Sequence, residues 1–270
     1  MVGSKGAAGS YDFTALGSES GELERLQLQA SRSAHLELQM LQKMGLRDGQ
    51  KVLDVACGPG VISRLIAKAH PASQITAMDL NGELLDVARQ QAMSAGLEAI
   101  HFLQGDVYSP PLQDEQFDFI YARLLFQHLE YPLRALEAIR KLLKPNGVLC
   151  VLDIDDSWLT LVPEPQGFTE FTDRVARAQA RRGGNRHVGR QLGRLLEQSG
   201  YCNVDLHVET MTSRQLGMKA FLDITLGFKR LLLEGSELEA AQETLAAAEA
   251  LLEDPKAWAL VGVFLARGCR

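Results

Sequence analysis

Between residues 51 and 154 the apolar positions follow two alternating rhythms. Short runs dense in β-branched, aromatic and other apolar residues stand at "KVLDV" (51–55), "QITAMD" (74–79), "IHFLQGD" (100–106), "FDFIYA" (117–122) and "VLCVLDI" (148–154). Stretches with apolar residues at helical spacing lie between them, at about 60–69, 82–95 and 132–143. Pro145 stops the last of these, and Asn146-Gly147 supplies the turn into the strand that follows. Strands alternating with helices predict βαβ units, and hence a parallel sheet with helices on both faces.

The flanks read differently. Residues 1–20 are rich in Gly, Ser and Ala. From Glu22 to Met44, Leu23, Leu26, Ala30, Ala34, Leu38 and Leu41 recur every three or four positions, one face of an amphipathic helix that Gly45 ends. After Ile154 the regular rhythm is lost. Residues 155–187 carry Trp158, two prolines, Phe168, Phe171 and "RRGGNRH"; a helix over 189–199 leads into "NVDLHVETM" (203–211). Residues 214–253 read as mostly helical, and "AWALVGVFLAR" (257–267) as a closing strand. The expected organisation is an N-terminal helical segment (1–45) and a main domain (46–270) with helical insertions at about 155–187 and 212–255. Long insertions at strand ends are where specificity tends to be built.

Composition narrows the class of protein. The 270 residues are 46% hydrophobic and 23% charged, ordinary for a globular chain with a sizeable core. A net charge of −6 argues against a dedicated nucleic-acid partner. Cys57, Cys150, Cys202 and Cys269 have no CxxC spacing and no histidine cluster, so neither a metal site nor a disulfide framework is indicated. No apolar leader and no run of ~18 apolar residues is present, so neither secretion nor a membrane partner is expected. A reduced, cytoplasmic protein is the expectation.

The candidate chemistry starts at "VLDVACGPG" (52–60). A glycine-rich turn after the first strand of such a sheet lies where ligands bind, and a Cβ at Gly58 or Gly60 would obstruct the ligand or the backbone angles. Asp79 ends the second strand 19 residues after Gly60, a placement suited to the ribose hydroxyls of an adenosine. Two nucleotide chemistries remain. A nicotinamide-binding loop reads GxGxxG, whereas here Ser63 stands where the third glycine belongs. Asp54 lies four residues before Gly58, where a carboxylate repels a pyrophosphate and suits an ammonium group. Both features favour S-adenosylmethionine.

With "VLDVACGPG", "AMDLN", "GDVYSPPL", "FDFIYARLLFQHLEYP" and "LKPNGVLCVLDID" in that order, residues 50–155 resemble the class I S-adenosylmethionine-dependent methyltransferases. The upstream "SESGELERLQLQ" is similar to the leading helix of a small-molecule subgroup, in which that segment closes over the cofactor. The resemblance implies a Rossmann-like, doubly wound α/β fold with a seven-stranded sheet, its last strand antiparallel. It implies that Asp54, Ala56, Gly58 and Gly60 line the methionine part, that Asp79 takes the ribose hydroxyls and Leu80 lies against the adenine. In the "GD" motif, Gly105, Asp106 and Val107 would flank the adenine, Asp106 accepting from its amino group. Ala122 and Arg123 would contact the methionine. Ala56 departs from the family, where glycine is common. Arg25 and Gln29 share a helix face that would lean on the cofactor, with Arg25 at its carboxylate, and Tyr11 would belong to the lid.

His128 is the one candidate for catalysis: beside the cofactor it is placed either to act as a general base or to pack against the loop. Asp153 and Asp155 would face the substrate or cap the next segment. Arg181, Arg182, Arg186, His187 and Arg190 form a basic run that would suit an anionic group or a solvated helix start. The reading is S-adenosylmethionine-dependent methylation of a small molecule at oxygen or nitrogen, yielding S-adenosylhomocysteine, without a metal, by a monomer or homodimer. Alternatives are a protein or peptide acceptor, a nicotinamide-dependent oxidoreductase and a non-catalytic cofactor-binding scaffold.

Overall fold

The computed structural model describes residues 23, 26, 27 and 36–270. Leu23, Leu26 and Gln27 are helical, and a helix over 36–43 (α1) gives way at Gly45, whose φ of 119° suits glycine alone. Tyr11, Arg25 and Gln29 lie outside the described residues.

Five strands form the parallel core: β1 (Lys51–Val55), β2 (Gln74–Asp79), β3 (His101–Gln104), β4 (Phe117–Arg123) and β5 (Leu143–Ile154). They lie side by side in the order β3-β2-β1-β4-β5. Helices α2 (Val61–Ala69), α3 (Gly82–Ser94) and α4 (Pro132–Leu142) connect them. Alternation along the strands sorts residues between two faces. Val52, Ala77, Phe119 and Leu152 pack with α1, α2 and α3. Leu53, Ile120, Ala122 and Val151 pack with α4 and with α6 (Leu192–Gln198) on the other side. Strands covered on both faces read as nearly continuous apolar runs, which is why the sequence shows them so clearly.

The last strand, β8 (Trp258–Cys269), is antiparallel to its neighbours and organises the rest. One of its edges pairs with β5 up to Ile154↔Val263 and then with the three-residue β6 (Thr160–Val162) from Thr160↔Leu260. β6 therefore prolongs the lane of β5 after a five-residue excursion. The other edge pairs with β7 (Cys202–Thr212). Among the described residues the sheet has eight strands in seven lanes. β6 lies inside the first expected insertion, which sequence periodicity read as free of strands; three residues are too few to show a period.

The two insertions pack on each other. The first carries α5 (Phe168–Arg181); the second carries α7 (Ser213–Leu216), α8 (Met218–Leu231), α9 (Gly235–Glu239) and α10 (Gln242–Glu249). Phe171 and Val175 of α5 meet Phe221 and Leu222 of α8 in one apolar cluster, together with Leu161 of β6 and Ala259 and Val261 of β8. The beginning of β8 thus belongs to this cap and its remainder to the sheet core.

Candidate functional site

At β1 the strand order reverses, since β2 lies to one side and β4 to the other. Ligands bind at the carboxyl ends of strands at such a point. The chain leaving β1 turns through left-handed backbone at Ala56 (φ 58°), Gly58 (φ 53°) and Gly60 (φ 67°). The two glycines have different duties. A Cβ on Gly58 would meet nothing within 4 Å, whereas one on Gly60 would stand 3.0 Å from Ala88 and 3.1 Å from Phe102. Gly58 opens onto the cleft; Gly60 lets α2 begin close to α3 and β3.

Asp79 holds the loop from the neighbouring strand. Its carboxylate accepts the Gly58 N–H at 2.7 Å and the Asn81 N–H at 2.9 Å. The capping of α3 is done by Asn81, whose side chain accepts the Leu84 N–H at 3.1 Å. Desolvation in the cleft raises the Asp79 carboxyl above its ordinary range, against the pull of these N–H groups. Asp54, 1% exposed at the end of β1, accepts the Ser63 hydroxyl at 2.5 Å. Burial pushes its carboxyl up to about 7, the Ser63 hydrogen bond opposing. Ser63, in place of a third loop glycine, is thus turned toward a carboxylate and not toward a phosphate.

These residues form one end of a cavity of about 510 Å³. Asp54, Ala56, Gly58, Asp79, Leu80, Gly105, Asp106, Val107 and Arg123 all line it, as does Leu26 from the N-terminal segment. Leu80 is 55% exposed, a large apolar side chain uncovered at the strand end where a flat base would lie. Three carboxylates at this end fit a cationic ligand and oppose a pyrophosphate. The residues present fit S-adenosylmethionine.

The family model described as a methyltransferase domain matches residues 53–151. The chain carries a class I S-adenosylmethionine-dependent methyltransferase domain. It is 36% identical to a ubiquinone biosynthesis O-methyltransferase of Haemophilus ducreyi over 112 residues, 40% of this chain and 46% of that protein. It is 30% identical to a demethylmenaquinone methyltransferase of Staphylococcus aureus over 115 residues, 42% and 47% of the two chains. The chain thus spans about half the length of the curated relatives it matches. The fold is that of phosphoethanolamine N-methyltransferase 2 of Haemonchus contortus, solved with S-adenosyl-L-methionine: the TM-score is 0.63 at 16% identity, covering 98% of this chain and 61% of that one.

Within the methyltransferase domain two of the residues implied by resemblance stay off the cavity wall. Gly60 packs against α3 and β3, and Ala122 is fully buried in the sheet core. Strand alternation accounts for the second: Arg123 turns to the opposite face. Its Nε lies 3.0 Å from both carboxylate oxygens of Glu37 on α1, which also accepts the Tyr121 hydroxyl at 2.6 Å. Asp153 and Asp155 also lie away from the cavity. Asp153 accepts the Gln127 and Ile154 N–H groups, and Asp155 accepts the Ser157 N–H as the cap of a short 3-10 turn. The basic run does not form a patch. Arg181 and Arg182 pair with Glu237 and Glu234 at 2.7 Å each, and His187 and Arg190 pair with Asp155.

Beyond the cofactor end, the cavity wall is built by residues that periodicity alone did not single out. Ile224, Thr225, Phe228 and Lys229 of α8 close it from above. Asp156, Arg186 and Lys229 form a buried cluster in that wall. Arg186 donates twice to Asp156, at 2.8 and 2.9 Å, and Lys229 Nζ stands 3.1 Å away from it. Burial opposes ionisation of Asp156, but the two cations prevail and hold its carboxyl at about 2. One signal was present in the sequence: Lys229 interrupts the apolar stripe of Leu222, Leu226 and Leu233. Among the described residues no helix is long and apolar enough to cross a membrane, and no group of three His, Cys, Asp or Glu is placed to hold a metal ion.

Proposed function

We propose that the protein transfers a methyl group from S-adenosylmethionine to an oxygen or nitrogen of a small molecule. The observation that carries this reading is one cavity with two unlike ends, carboxylates and an open glycine loop at one, and at the other a cap-covered wall of apolar side chains around the buried Asp156, Arg186 and Lys229. Its volume of about 510 Å³ lies in the range of small-ligand pockets. The names of two relatives, for ubiquinone biosynthesis and for demethylmenaquinone, support a small-molecule acceptor.

When bound, the cofactor supplies a methyl group activated by positive sulfur. The chain's own residues bind and orient. Asp79 is positioned for ribose hydroxyls, Leu80 and Val107 for the faces of the base, Asp106 for its amino group, and Asp54 for the ammonium. The cap excludes water and brings an acceptor into line, the chief demand of such a transfer. Tyr11, Arg25 and Gln29 are proposed to close over the cofactor, a role Leu26 supports by lining the cavity.

Calorimetry tests the reading. S-adenosylhomocysteine should bind, NAD should not, and Asp79→Ala should weaken binding by at least tenfold, the loss of two hydroxyl hydrogen bonds to a carboxylate. Binding of NAD alone would favour an oxidoreductase. Methyl transfer from labelled cofactor into small-molecule extracts would exclude a non-catalytic scaffold.

A further inference from the structure

His128 closes the 3-10 turn Phe126–His128 after β4, and it lines the cavity between the cofactor end and the cap. Its Nδ1 lies 3.3 Å from Nε2 of Gln179, a fully buried residue of α5. What passes between them depends on which way the Gln179 amide faces, and its other partners decide that. Nη1 of Arg186, a group that can only donate, lies 3.3 Å from Gln179 Oε1. The carbonyl oxygen of Gln127, which can only accept, lies 2.7 Å from Gln179 Nε2. The amide orientation is therefore fixed, with its NH₂ toward His128. Nδ1 can meet that NH₂ only as an acceptor, so the ring proton resides on Nε2. Arg186 is itself fixed by its two bonds to Asp156, and Phe228 packs edge-to-face on His128 at 5.4 Å between centroids.

We infer that Gln179 is a positioning residue that sets His128 as the neutral Nε2–H tautomer, so that His128 donates a hydrogen bond to an acceptor-substrate oxygen and does not serve as the general base. The lone pair a base would use is already engaged by Gln179. The substrate class that follows is a small molecule presenting an unprotonated oxygen, such as a carbonyl, carboxylate or phenolate, to Nε2–H. It must bring its own nucleophilic lone pair. This rests on the proposed methyltransferase function for its substrate clause, but not for the tautomer.

The tautomer is read by long-range ¹H–¹⁵N correlation on the ¹⁵N-labelled, ligand-free protein, the His128 signals being assigned with His128→Gln. Protonated Nε2 with bare Nδ1 is expected. In Gln179→Glu, where a carboxylate replaces the amide, the proton should move to Nδ1. A protonated Nδ1 in the unsubstituted protein, or an unchanged pattern in Gln179→Glu, overturns the inference. If Gln179→Glu fails to fold, Gln179→Met removes the amide at similar volume and should give mixed tautomers; a pure Nε2–H pattern there overturns the role of Gln179. With the acceptor in hand, His128→Ala should raise its KM about tenfold, the loss of one hydrogen bond, and His128→Gln, which still donates, should raise it less. Equal collapse of kcat in both variants would instead mark a base. Failure of the methyltransferase reading would show separately, as absent S-adenosylhomocysteine binding, and would leave the tautomer result standing.

Discussion

At the scale of single residues, the glycine loop separates conformation from contact. Ala56 occupies left-handed backbone (φ 58°), where a Cβ crowds the following carbonyl. Ala56→Gly should therefore raise stability by about 1 kcal/mol in urea unfolding, since the relief of strain exceeds the added chain entropy. Asp54 carries a pH prediction. Its folded pKa of about 7 lies above the ordinary 3.8, so the folded protein without ligand holds an extra proton between those values. The stability this gives is complete below about 4 and is lost as pH rises through about 7. A cationic ligand demands the ionised form, so S-adenosylmethionine should bind more tightly as pH rises from 6 to 8, releasing a proton at the lower pH. Calorimetry in buffers of different ionisation enthalpy would measure that proton, and Asp54→Asn should abolish the pH dependence.

At the scale of elements, the cap is tied to itself through charge as well as apolar packing. Asp156 and Arg186 belong to the first insertion and Lys229 to the second. Removing the carboxylate would leave two cations buried without it. Asp156→Ala is expected to cost about 3–5 kcal/mol in denaturant unfolding. The triple change Asp156→Leu, Arg186→Met and Lys229→Met, which removes all three charges together, should cost much less. The core elements were legible because they declare themselves locally. "KVLDV" and "QITAMD" match β1 and β2 residue for residue, buried apolar runs bounded by turns. β6 was not legible: its three residues are a strand only because Leu260, Ala259 and Trp258 are there to pair with them. Nor could the basic run be sorted in advance, because the carboxylates that divide it, Glu234, Glu237 and Asp155, reach it only through the fold.

At the scale of the whole molecule, β8 explains why sheet and cap act together, since it pairs with β5, β6 and β7 and passes from one apolar cluster into the other. The cavity lies where these two bodies meet. The donor end was determined by the sequence itself. Asp54, Gly58, Asp79 and Asp106 fall at or just beyond the carboxyl ends of strands in βαβ units, whose parallel direction brings those ends to one edge of the sheet, so spacing along the chain becomes position in space. The cap-covered end of the cavity was decided by tertiary structure. His128, the pair Gln179 and Arg186, and Lys229 come from three separated stretches, and nothing in the spacing of one tells where another lies. Even the tautomer of His128 depends on an amide 51 residues away, whose orientation is set by an arginine and a backbone carbonyl. Local periodicity encodes elements; contacts between distant segments, which only packing brings about, select the chemistry that the second half of the cavity can hold.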